Sequence, residues 1–448
     1  KMIKAGIINK NDLNNMSEKV QNQIEYLTSK VVDREITPSI DIAKNPTIIG
    51  DFTFNKKVIS VSTLTSDLLK NESEVNQIKS LQKKSRFGKS EEGSLLSGMR
   101  AITLRDSLAE AIIYHLSRDK SLIAYGEECR EWGGAFGVYR GFSDIIPINR
   151  LFNSPISEAA IVSTAIGYAI SGGRAIIELM YSDFIGRAGD EIFNQLAKWQ
   201  AMSAGELNLP IVLRASIGSK YGAQHSQDWT SLLTHIPGLS IVYPATPYDA
   251  KGLMASSLCS NDPTIFFESQ RLYDKVEIFT ENGVPKNYYT VPFGKAVKRR
   301  SGKDITILTI GASLYAALDA SIELINHNID TEIIDARSLV PFDYEMLLNS
   351  VKLTGRLLIV SEAVERGSFA NTIATNVSKF AFKNLRASPM IIGAPNWIAP
   401  GADMEKTYSP QSEDILDLVF RDFFPEKRIN KRGLRKDWDF LDLAKKGL

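Results

Sequence analysis

The most regular pattern of apolar and polar positions lies in residues 153–190. A turn at Pro155 precedes an apolar run over 158–170, which predicts a helix that ends at the Ser-Gly-Gly of 171–173. Residues 174–180 predict a strand, and a second helix is expected from about Phe184. This succession is typical of a parallel α/β sheet.

The same alternation continues along most of the chain. Further strands are predicted over residues 122–125, 211–215, 240–243, 264–268, 305–310, 332–335, 357–361 and 389–393. Further helices are predicted over residues 106–116, 184–204 and 248–257, and after Ala312, Asp343 and Gly367. Strands that alternate with helices need right-handed crossovers. The sequence therefore predicts an α/β fold with two doubly wound domains and mainly parallel sheets.

A short helical segment is expected before these domains. Apolar residues recur at spacings of three and four from residue 13 to residue 27, which indicates an amphipathic helix over 11–32, opened by Asn11 or Asp12. This segment cannot build a core alone and is expected to pack on something larger. The predicted divisions are a helical segment 1–58, a linker 59–100 rich in Ser, Lys, Asn and Glu, domains at 101–290 and 291–424, and a basic tail 425–448.

Composition argues against several classes of function. The 448 residues include 53 lysines and arginines against 52 aspartates and glutamates, so net charge gives no reason to expect nucleic acid or a membrane as a partner. Cys129 and Cys259 are the only cysteines, which excludes a disulfide framework and fits a reducing compartment. The most apolar run, 159–170, is shorter than the roughly 20 residues that span a bilayer. A cytoplasmic protein is expected, with no amino-terminal signal pattern visible.

The tail concentrates six lysines and arginines within residues 427–436. A solvated face is the plainest interpretation. Docking to an acidic partner, such as the acyltransferase core of a complex, is the second, and nucleic acid is the third.

Glu158 is the first candidate for chemistry, because it follows Ser157 at a helix start with an apolar helix behind it. A carboxylate there can simply be favoured by the helix dipole. It can equally be a buried carboxyl that faces a cleft at the carboxyl ends of the strands, where open α/β sheets bind ligands. Position alone leaves both interpretations open.

Several motifs occur in register along the chain: GEEC at 126–129, GGAF at 133–136, SPISEAAIVSTAIGYA from 154, ELMYSDF from 178, HSQ at 225–227, PGL from 237 and DAKGL from 249. Together they resemble the beta subunit of thiamine-diphosphate-dependent 2-oxoacid dehydrogenases. That subunit belongs to the decarboxylating component of pyruvate, branched-chain and acetoin dehydrogenase complexes. The resemblance runs from about Ala101 to about Phe424 and implies a transketolase-like pyrimidine-binding domain followed by a transketolase C-terminal domain.

The amino-terminal segment is similar to the end of the alpha subunit of the same enzymes, which precedes beta in fused versions. The chain begins with Lys1, so it is expected to be the rear part of a fused polypeptide or a piece of one. A plain amphipathic docking helix is the alternative.

The resemblance implies roles for individual residues. Glu158 would hydrogen-bond the aminopyrimidine of thiamine diphosphate and so activate the cofactor, with Ile156, Ile161 and Val162 as an apolar wall beside it. Phe184 would stack on the aminopyrimidine, with Tyr181 as the nearby alternative and core packing as the other interpretation of either ring. His225 would exchange protons during acyl transfer to a lipoyl group.

The remaining implied roles concern protons, ions and partners. Glu127 and Asp190 match acidic positions of a proton relay between two active sites, although Glu127 could only cap a loop and Asp190 could only hydrogen-bond helix ends. A monovalent cation binds some relatives near Ile211 and the turn at 262–263, but this chain has serines where an acid is often seen. Magnesium and the diphosphate need a Gly-Asp-Gly that this chain lacks, so the metal site is expected on the alpha-type subunit or the upstream half of a fused chain.

These observations predict the pyrimidine half of a thiamine-diphosphate-dependent 2-oxoacid dehydrogenase that passes an acyl group to lipoate. The expected assembly is a dimer of alpha-beta units that works with a lipoyl acyltransferase. One rival is a transketolase-type enzyme acting on sugar phosphates, for which Arg214 and Lys220 are the available basic residues. The other is a non-catalytic assembly subunit with the same fold.

Overall fold

The computed structural model describes residues 1–65, 67–71, 74–75, 78–80, 88–89, 95–96, 100–218 and 221–427. Lys220, most of the predicted linker after residue 80 and the predicted tail from residue 428 lie outside the described residues. The chain forms two compact units, residues 1–52 and residues 53–448. Within the described part, no helix is both long and apolar enough to cross a membrane.

Strands and helices alternate through most of the second unit. The strands are β1 (Gly88–Lys89), β2 (Leu95–Leu96), β3 (Leu122–Gly126), β4 (Leu151–Asn153), β5 (Arg174–Tyr181), β6 (Ile211–Ile217), β7 (Ser240–Val242), β8 (Thr264–Ser269), β9 (Val297–Arg300), β10 (Ile305–Thr309), β11 (Thr331–Asp335), β12 (Ser338–Val340), β13 (Leu357–Val364) and β14 (Met390–Ala394). The α-helices of the chain are α1 (Lys10–Val32), α2 (Ile48–Thr53), α3 (Leu104–Leu116), α4 (Glu158–Ile170), α5 (Ala197–Met202), α6 (Thr230–Thr234), α7 (Pro247–Cys259), α8 (Ser313–Asn326), α9 (Tyr344–Thr354), α10 (Phe369–Phe380), α11 (Glu405–Tyr408) and α12 (Ser412–Leu418).

The first unit is dominated by α1. The helix begins after Asn9, whose side-chain oxygen accepts a 2.8 Å hydrogen bond from the N–H of Asp12, while the Asp12 carboxylate accepts one of 2.9 Å from the N–H of Asn9. With this reciprocal capping box the helix begins two to three residues earlier than the predicted caps, Asn11 or Asp12, because Asn9 already satisfies free N–H groups of the first turn. No residue of α1 is buried, and its apolar stripe is exposed.

Two sheets organise the second unit. The larger has seven strands in the order β12-β7-β8-β6-β5-β3-β4, and all its pairs are parallel except β12 with β7. The smaller has the order β14-β13-β10-β11-β9, parallel except for β9. The predicted α/β class and mainly parallel sheets are therefore confirmed.

Neighbouring residues of one strand pack into different cores. Ile176 and Val212 belong to one buried cluster with α3 and α7, whereas Ile177 and Leu213 belong to another with α4. Because side chains alternate between the faces of a strand, both faces of the seven-stranded sheet are covered. This is the arrangement of a doubly wound sheet.

Buried ion pairs join the carboxyl-terminal half to the larger sheet. Asp249, at the start of α7, binds Arg337 over 2.7 Å and also pairs with Arg299 of β9. Arg299 pairs in addition with Asp335 over 2.8 Å. Strand β12 of the same half adds the edge strand beside β7. The two sheets are thus parts of one packed body.

Most predicted elements are present, and α4 has the predicted bounds. The predicted helix over 184–204 is wrong in detail: residues Ser182–Ala188 form a 3₁₀ helix and Glu191–Leu196 a π-helix, and only Ala197–Met202 is α-helical. Gly186 and Gly189 weaken a regular helix here. Strands β1, β2, β4, β9 and β12, each of two to four residues, were not predicted.

Candidate active site

The candidate residues meet at the carboxyl ends of the parallel strands. Glu127 directly follows β3, Tyr181 ends β5, and the loop that carries His225 follows β6. Glu158 opens α4 just after β4. This edge is where open α/β sheets bind their ligands, so the sequence and the topology point to the same place.

Glu158 is a buried residue whose carboxylate has no hydrogen-bond partner among the described residues. Only 8% of the residue is exposed. Ile161 and Val162 are buried behind it, as predicted, but Ile156 is 82% exposed and does not belong to the apolar wall. Ile156 precedes the helix and therefore does not follow its buried face. The carboxylate oxygens are not among the fully buried side-chain atoms that lack a partner, so they are accessible and can receive a donor from a ligand.

Glu127 has three acidic neighbours, one of which is Glu158. Burial raises the pKa of its carboxyl, and three neighbouring carboxylates raise it further: those of Glu158, Glu128 and Glu178. Like charges held this close disfavour a second ionised carboxylate. The Glu127 carboxyl therefore keeps its proton to a higher pH than a solvated glutamate does, and its part in a relay stays a prediction.

Asp190 occupies a different environment. Its carboxylate is exposed and accepts hydrogen bonds of 2.6 Å from Asn194 and 3.1 Å from Gln195, which lower its pKa. It is not among the charges that raise the pKa of Glu127. Its part in a relay stays a prediction.

The three predicted ring residues come together. The Tyr181 and His225 rings lie 4.3 Å apart between centroids, and Phe184 makes edge contacts with Tyr181 at 5.8 Å and His225 at 5.7 Å. Phe136 of the glycine-rich loop contacts Tyr181 at 5.9 Å. The result is a half-buried aromatic group that can pack against a planar ligand ring.

Asp183 attaches the His225 loop to this group. Its carboxylate accepts a hydrogen bond from Trp229 Nε1 over 3.3 Å, and the adjacent Ser182 Oγ donates to the Gln227 carbonyl over 3.1 Å. Gln270 Nε2 donates to the His225 carbonyl over 2.6 Å. Burial raises the pKa of Asp183, although the hydrogen bond from Trp229 lowers it. Sequence reasoning missed Asp183, whose position one residue before Phe184 was the only signal.

A buried ionic group supports the same loops. The guanidinium of Arg214 pairs with Glu178 and with Glu268, the latter over 2.6 Å, and Tyr273 donates a 2.6 Å hydrogen bond to Glu268. The N–H of Ala135 in the glycine-rich loop donates to Glu178 over 3.0 Å. Arg214 is 2% exposed and fully engaged, so it is not available for a sugar phosphate.

The region predicted for a monovalent cation is already occupied by a cationic side chain. Arg174 donates hydrogen bonds to the carbonyls of Leu258 and Ser260, and Asp262 accepts from Gln200 Nε2 over 2.8 Å. Among the described residues, no group of three or more His, Cys, Asp or Glu could hold a metal ion. A cation in this chain stays a prediction.

Comparison with known proteins identifies the fold and the family. Residues 100–275 match the pyrimidine binding domain of transketolase and residues 294–415 match the transketolase C-terminal domain. The acetoin:2,6-dichlorophenolindophenol oxidoreductase subunit beta of Cupriavidus necator is 40% identical over 329 residues, which cover 70% of this chain and 96% of that protein. The pyruvate dehydrogenase E1 component subunit beta of Rickettsia felis is 36% identical over 321 residues, which cover 71% and 97%. The chain belongs to this family of dehydrogenase beta subunits.

Solved structures outside the beta-subunit family share its fold. An inactive beta4 tetramer of split-gene transketolase aligns with a TM-score of 0.59 at 20% identity, covering 73% of this chain and all of that one. Transketolase from Leishmania mexicana aligns with a TM-score of 0.52 at 14% identity, covering 80% and 49%. At these identities the likeness concerns the fold alone.

The described residues fit the cofactor on which the beta-subunit family depends, thiamine diphosphate. Glu158 offers a carboxylate without a hydrogen-bond partner among the described residues, and Phe184, Tyr181 and His225 offer ring surfaces at the same edge of the sheet. The fit covers an aminopyrimidine ring, which has donors for a carboxylate and a planar face. Among the described residues, no cluster of three or more His, Cys, Asp or Glu could hold the magnesium that accompanies the diphosphate.

Proposed function

We propose that this chain is the beta-type portion of a 2-oxoacid dehydrogenase decarboxylating component and supplies the pyrimidine half of a thiamine-diphosphate site. The observation that carries the proposal is the Glu158 carboxylate, which has no hydrogen-bond partner among the described residues and lies at the same edge of the sheet as the aromatic group, in a chain 36% identical to a pyruvate dehydrogenase beta subunit along nearly all of that subunit's length. The expected reaction is oxidative decarboxylation of pyruvate or a branched-chain 2-oxoacid.

Each residue has a defined task in this proposal. Bound thiamine diphosphate supplies a ring carbon that adds to a carbonyl and accepts the electron pair released on loss of carbon dioxide. Glu158 holds a proton at the pyrimidine ring nitrogen, and Phe184 or Tyr181 packs against the ring. His225 moves protons where the acyl group leaves for its acceptor, a lipoyl group. Glu127 exchanges a proton with Glu158.

The proposal requires a partner. An alpha-type subunit, or the upstream half of a fused chain, would bind magnesium and the diphosphate, and two alpha-beta units would form the working assembly. A lipoyl acyltransferase would receive the acyl group. We expect the enzyme to act in the cytoplasm, which accords with Cys129 and Cys259 both being free thiols.

Isothermal titration calorimetry with thiamine diphosphate and magnesium tests the proposal. The full chain is titrated alone and together with the alpha-type polypeptide, and turnover of pyruvate and branched-chain 2-oxoacids is measured in both samples. Binding and decarboxylation only in the mixture are expected. Tight binding by this chain alone would overturn the division of the site, and no binding in either sample would favour the assembly subunit.

A second candidate function is supported by the 40% identity to the acetoin oxidoreductase subunit. In this case the carbonyl substrate is acetoin, and the bond that breaks joins two carbons without loss of carbon dioxide. Including acetoin in the substrate panel distinguishes the two functions. Turnover of acetoin with a dye acceptor, without carbon dioxide release, would decide for this alternative.

A further inference from the structure

Tyr221 adds one more ring to the aromatic group of the candidate active site. Its ring centroid lies 6.2 Å from that of Tyr181 and 6.3 Å from that of Phe136, and the Phe136 and Tyr181 centroids are 5.9 Å apart. All three distances fall in the range in which aromatic rings pack against each other. Tyr221 belongs to none of the motifs that carry the family resemblance, so sequence reasoning gave it no role.

Tyr221 and His225 lie on one closed loop. The N–H of Tyr221 donates a 3.0 Å hydrogen bond to Ser226 Oγ, and the N–H of His225 donates one of 3.1 Å to the Gly222 carbonyl. Gly222 has a φ of 82°, which glycine adopts without a steric penalty. Both side chains of the loop reach the Tyr181 ring, Tyr221 at 6.2 Å and His225 at 4.3 Å. The position of Tyr221 is therefore tied to that of His225.

The rings become more exposed from the inside of the chain outward. Tyr273 is 2% exposed, stacks on Phe136 at 4.5 Å and donates a hydrogen bond to Glu268. Phe136 and Tyr181 are half-buried, and Tyr221 is 49% exposed. Because Phe136 packs on a buried ring that is itself held by a hydrogen bond, it has little room to withdraw. Tyr221 is thus the outer member of a wall whose inner members are fixed.

The wall stands beside the residue that meets the acyl group in the proposed function. There, His225 acts where the acyl group is transferred, and Tyr181 or Phe184 packs against the pyrimidine ring. A side chain on the acyl group near His225 would therefore meet the rings of Tyr181 and Tyr221. Rings in mutual contact leave no gap between them, so a larger side chain has to displace one of them, which is costly in a well-packed site.

We propose that Tyr221 is a specificity residue and that the wall of Phe136, Tyr181 and Tyr221 selects substrates whose carbonyl carries a methyl group over branched ones. Pyruvate and acetoin both meet this requirement, whereas branched-chain 2-oxoacids do not. The inference rests on the proposed function and names its substrate class. In an apolar pocket, one methylene changes kcat/KM by about 10–200-fold.

Substrate selectivity of the assembled enzyme tests the role of Tyr221. The full chain is combined with the alpha-type polypeptide, thiamine diphosphate and magnesium, and kcat/KM is measured for pyruvate and 3-methyl-2-oxobutanoate with an artificial electron acceptor. If the enzyme turns over acetoin instead, isobutyroin is the branched comparison. The variants are Tyr221→Ala and Tyr221→Phe, with Tyr26→Ala, at an exposed tyrosine of α1, as the matched control.

A binding measurement accompanies the kinetics. Methyl acetylphosphonate and methyl isobutyrylphosphonate are analogues of the two 2-oxoacids that cannot lose carbon dioxide, and their affinities are obtained by isothermal titration calorimetry. The thermal unfolding temperature of each variant shows whether it is folded.

We expect the parent enzyme to prefer pyruvate to the branched 2-oxoacid by at least about tenfold. Tyr221→Ala should shift this ratio about tenfold toward the branched substrate, mainly through KM, and should shift the two phosphonate affinities in the same direction. Tyr221→Phe should keep the parent ratio, because the ring and not the hydroxyl forms the wall. Tyr26→Ala should also keep it.

Three outcomes would overturn the role of Tyr221: a parent enzyme that prefers the branched substrate, a Tyr221→Ala ratio within twofold of the parent, or a Tyr221→Phe shift as large as that of Tyr221→Ala. Turnover of none of these substrates by the parent would contradict the proposed function and this inference with it. Turnover with unchanged selectivity in Tyr221→Ala would contradict the inference alone.

Discussion

The indole Nε1 of Trp229 donates a hydrogen bond of 3.3 Å to the carboxylate of Asp183. The adjacent Ser182 Oγ donates to the Gln227 carbonyl over 3.1 Å, so two bonds attach the loop of His225 to residues 182 and 183, just before Phe184. The position of the His225 ring is therefore set by Asp183 as well as by its own ring contacts. Asp183 acts here as a positioning residue.

Replacing Asp183 with Asn should slow acyl transfer more than it slows decarboxylation. The amide keeps the size of the side chain but weakens its hydrogen bond to the loop, so acyl transfer to a lipoyl acceptor should fall about tenfold. Decarboxylation measured with an artificial electron acceptor should change less than twofold. Asp144→Asn, an exposed site, is the control. A parallel loss in both assays would mean that Asp183 supports the whole site.

Glu158→Gln should abolish cofactor activation while the chain stays folded. Loss of a positioned proton donor costs about 10²–10⁴-fold in kcat. The measurement is kcat in the complex with the alpha-type portion, alongside the thermal unfolding temperature. Glu128→Gln, an exposed neighbour, should retain activity. Near-normal turnover of Glu158→Gln would contradict the proposed function.

Arg214→Met should destabilise the chain strongly. The substitution leaves Glu178 and Glu268 buried without their cation, and breaking such a pair costs about 3–5 kcal/mol of unfolding free energy. Urea unfolding measures the loss, and Arg187→Met, at an exposed site, is the matched control. A loss below about 1 kcal/mol would show that the carboxyls are neutral without Arg214.

Asp228 should make stability depend on pH. Burial raises the pKa of Asp228 from 3.8 to about 6, against the hydrogen bonds from Thr230, which lower it. The folded chain therefore keeps this proton between about pH 4 and 6 while the unfolded chain loses it, so this residue's contribution to stability falls as pH rises through that window. Asp228→Asn should remove this pH-dependent loss of stability. The unfolding temperature should therefore rise at pH 7.5 but not at pH 4.

The control for Asp228→Asn is Asp144→Asn, which should not change how the unfolding temperature depends on pH. Thermal unfolding from pH 4 to pH 8 gives both curves. An unfolding temperature of Asp228→Asn that lies below the parent at pH 7.5 would mean that the ionised carboxylate stabilises the fold.

The sequence predicted regular elements well and tertiary relationships poorly. The bounds of α4 were correct because an apolar run meets a Ser-Gly-Gly stop, both of which are local signals. The environment of Arg214 was not predicted, because its partners Glu178 and Glu268 come from two other strands. Spacing along one chain does not show which charges face each other across a sheet. For the same reason, Ile156 was placed beside Glu158 although it is exposed.

The candidate residues illustrate the same limit. Motifs named Tyr181, Phe184 and His225 separately, but only the fold shows that their rings touch. Asp183 went unnoticed because its partner, Trp229, lies more than forty residues away in the sequence.

The edge strand β12 limits how the chain can be divided. It comes from the carboxyl-terminal half, yet it completes the sheet of the amino-terminal half beside β7. A fragment that stops before residue 338 would leave β7 with unpaired backbone groups, an edge to which other chains can add. The two halves are therefore not interchangeable modules, and a rearranged or split gene would have to deliver both pieces together to avoid aggregation.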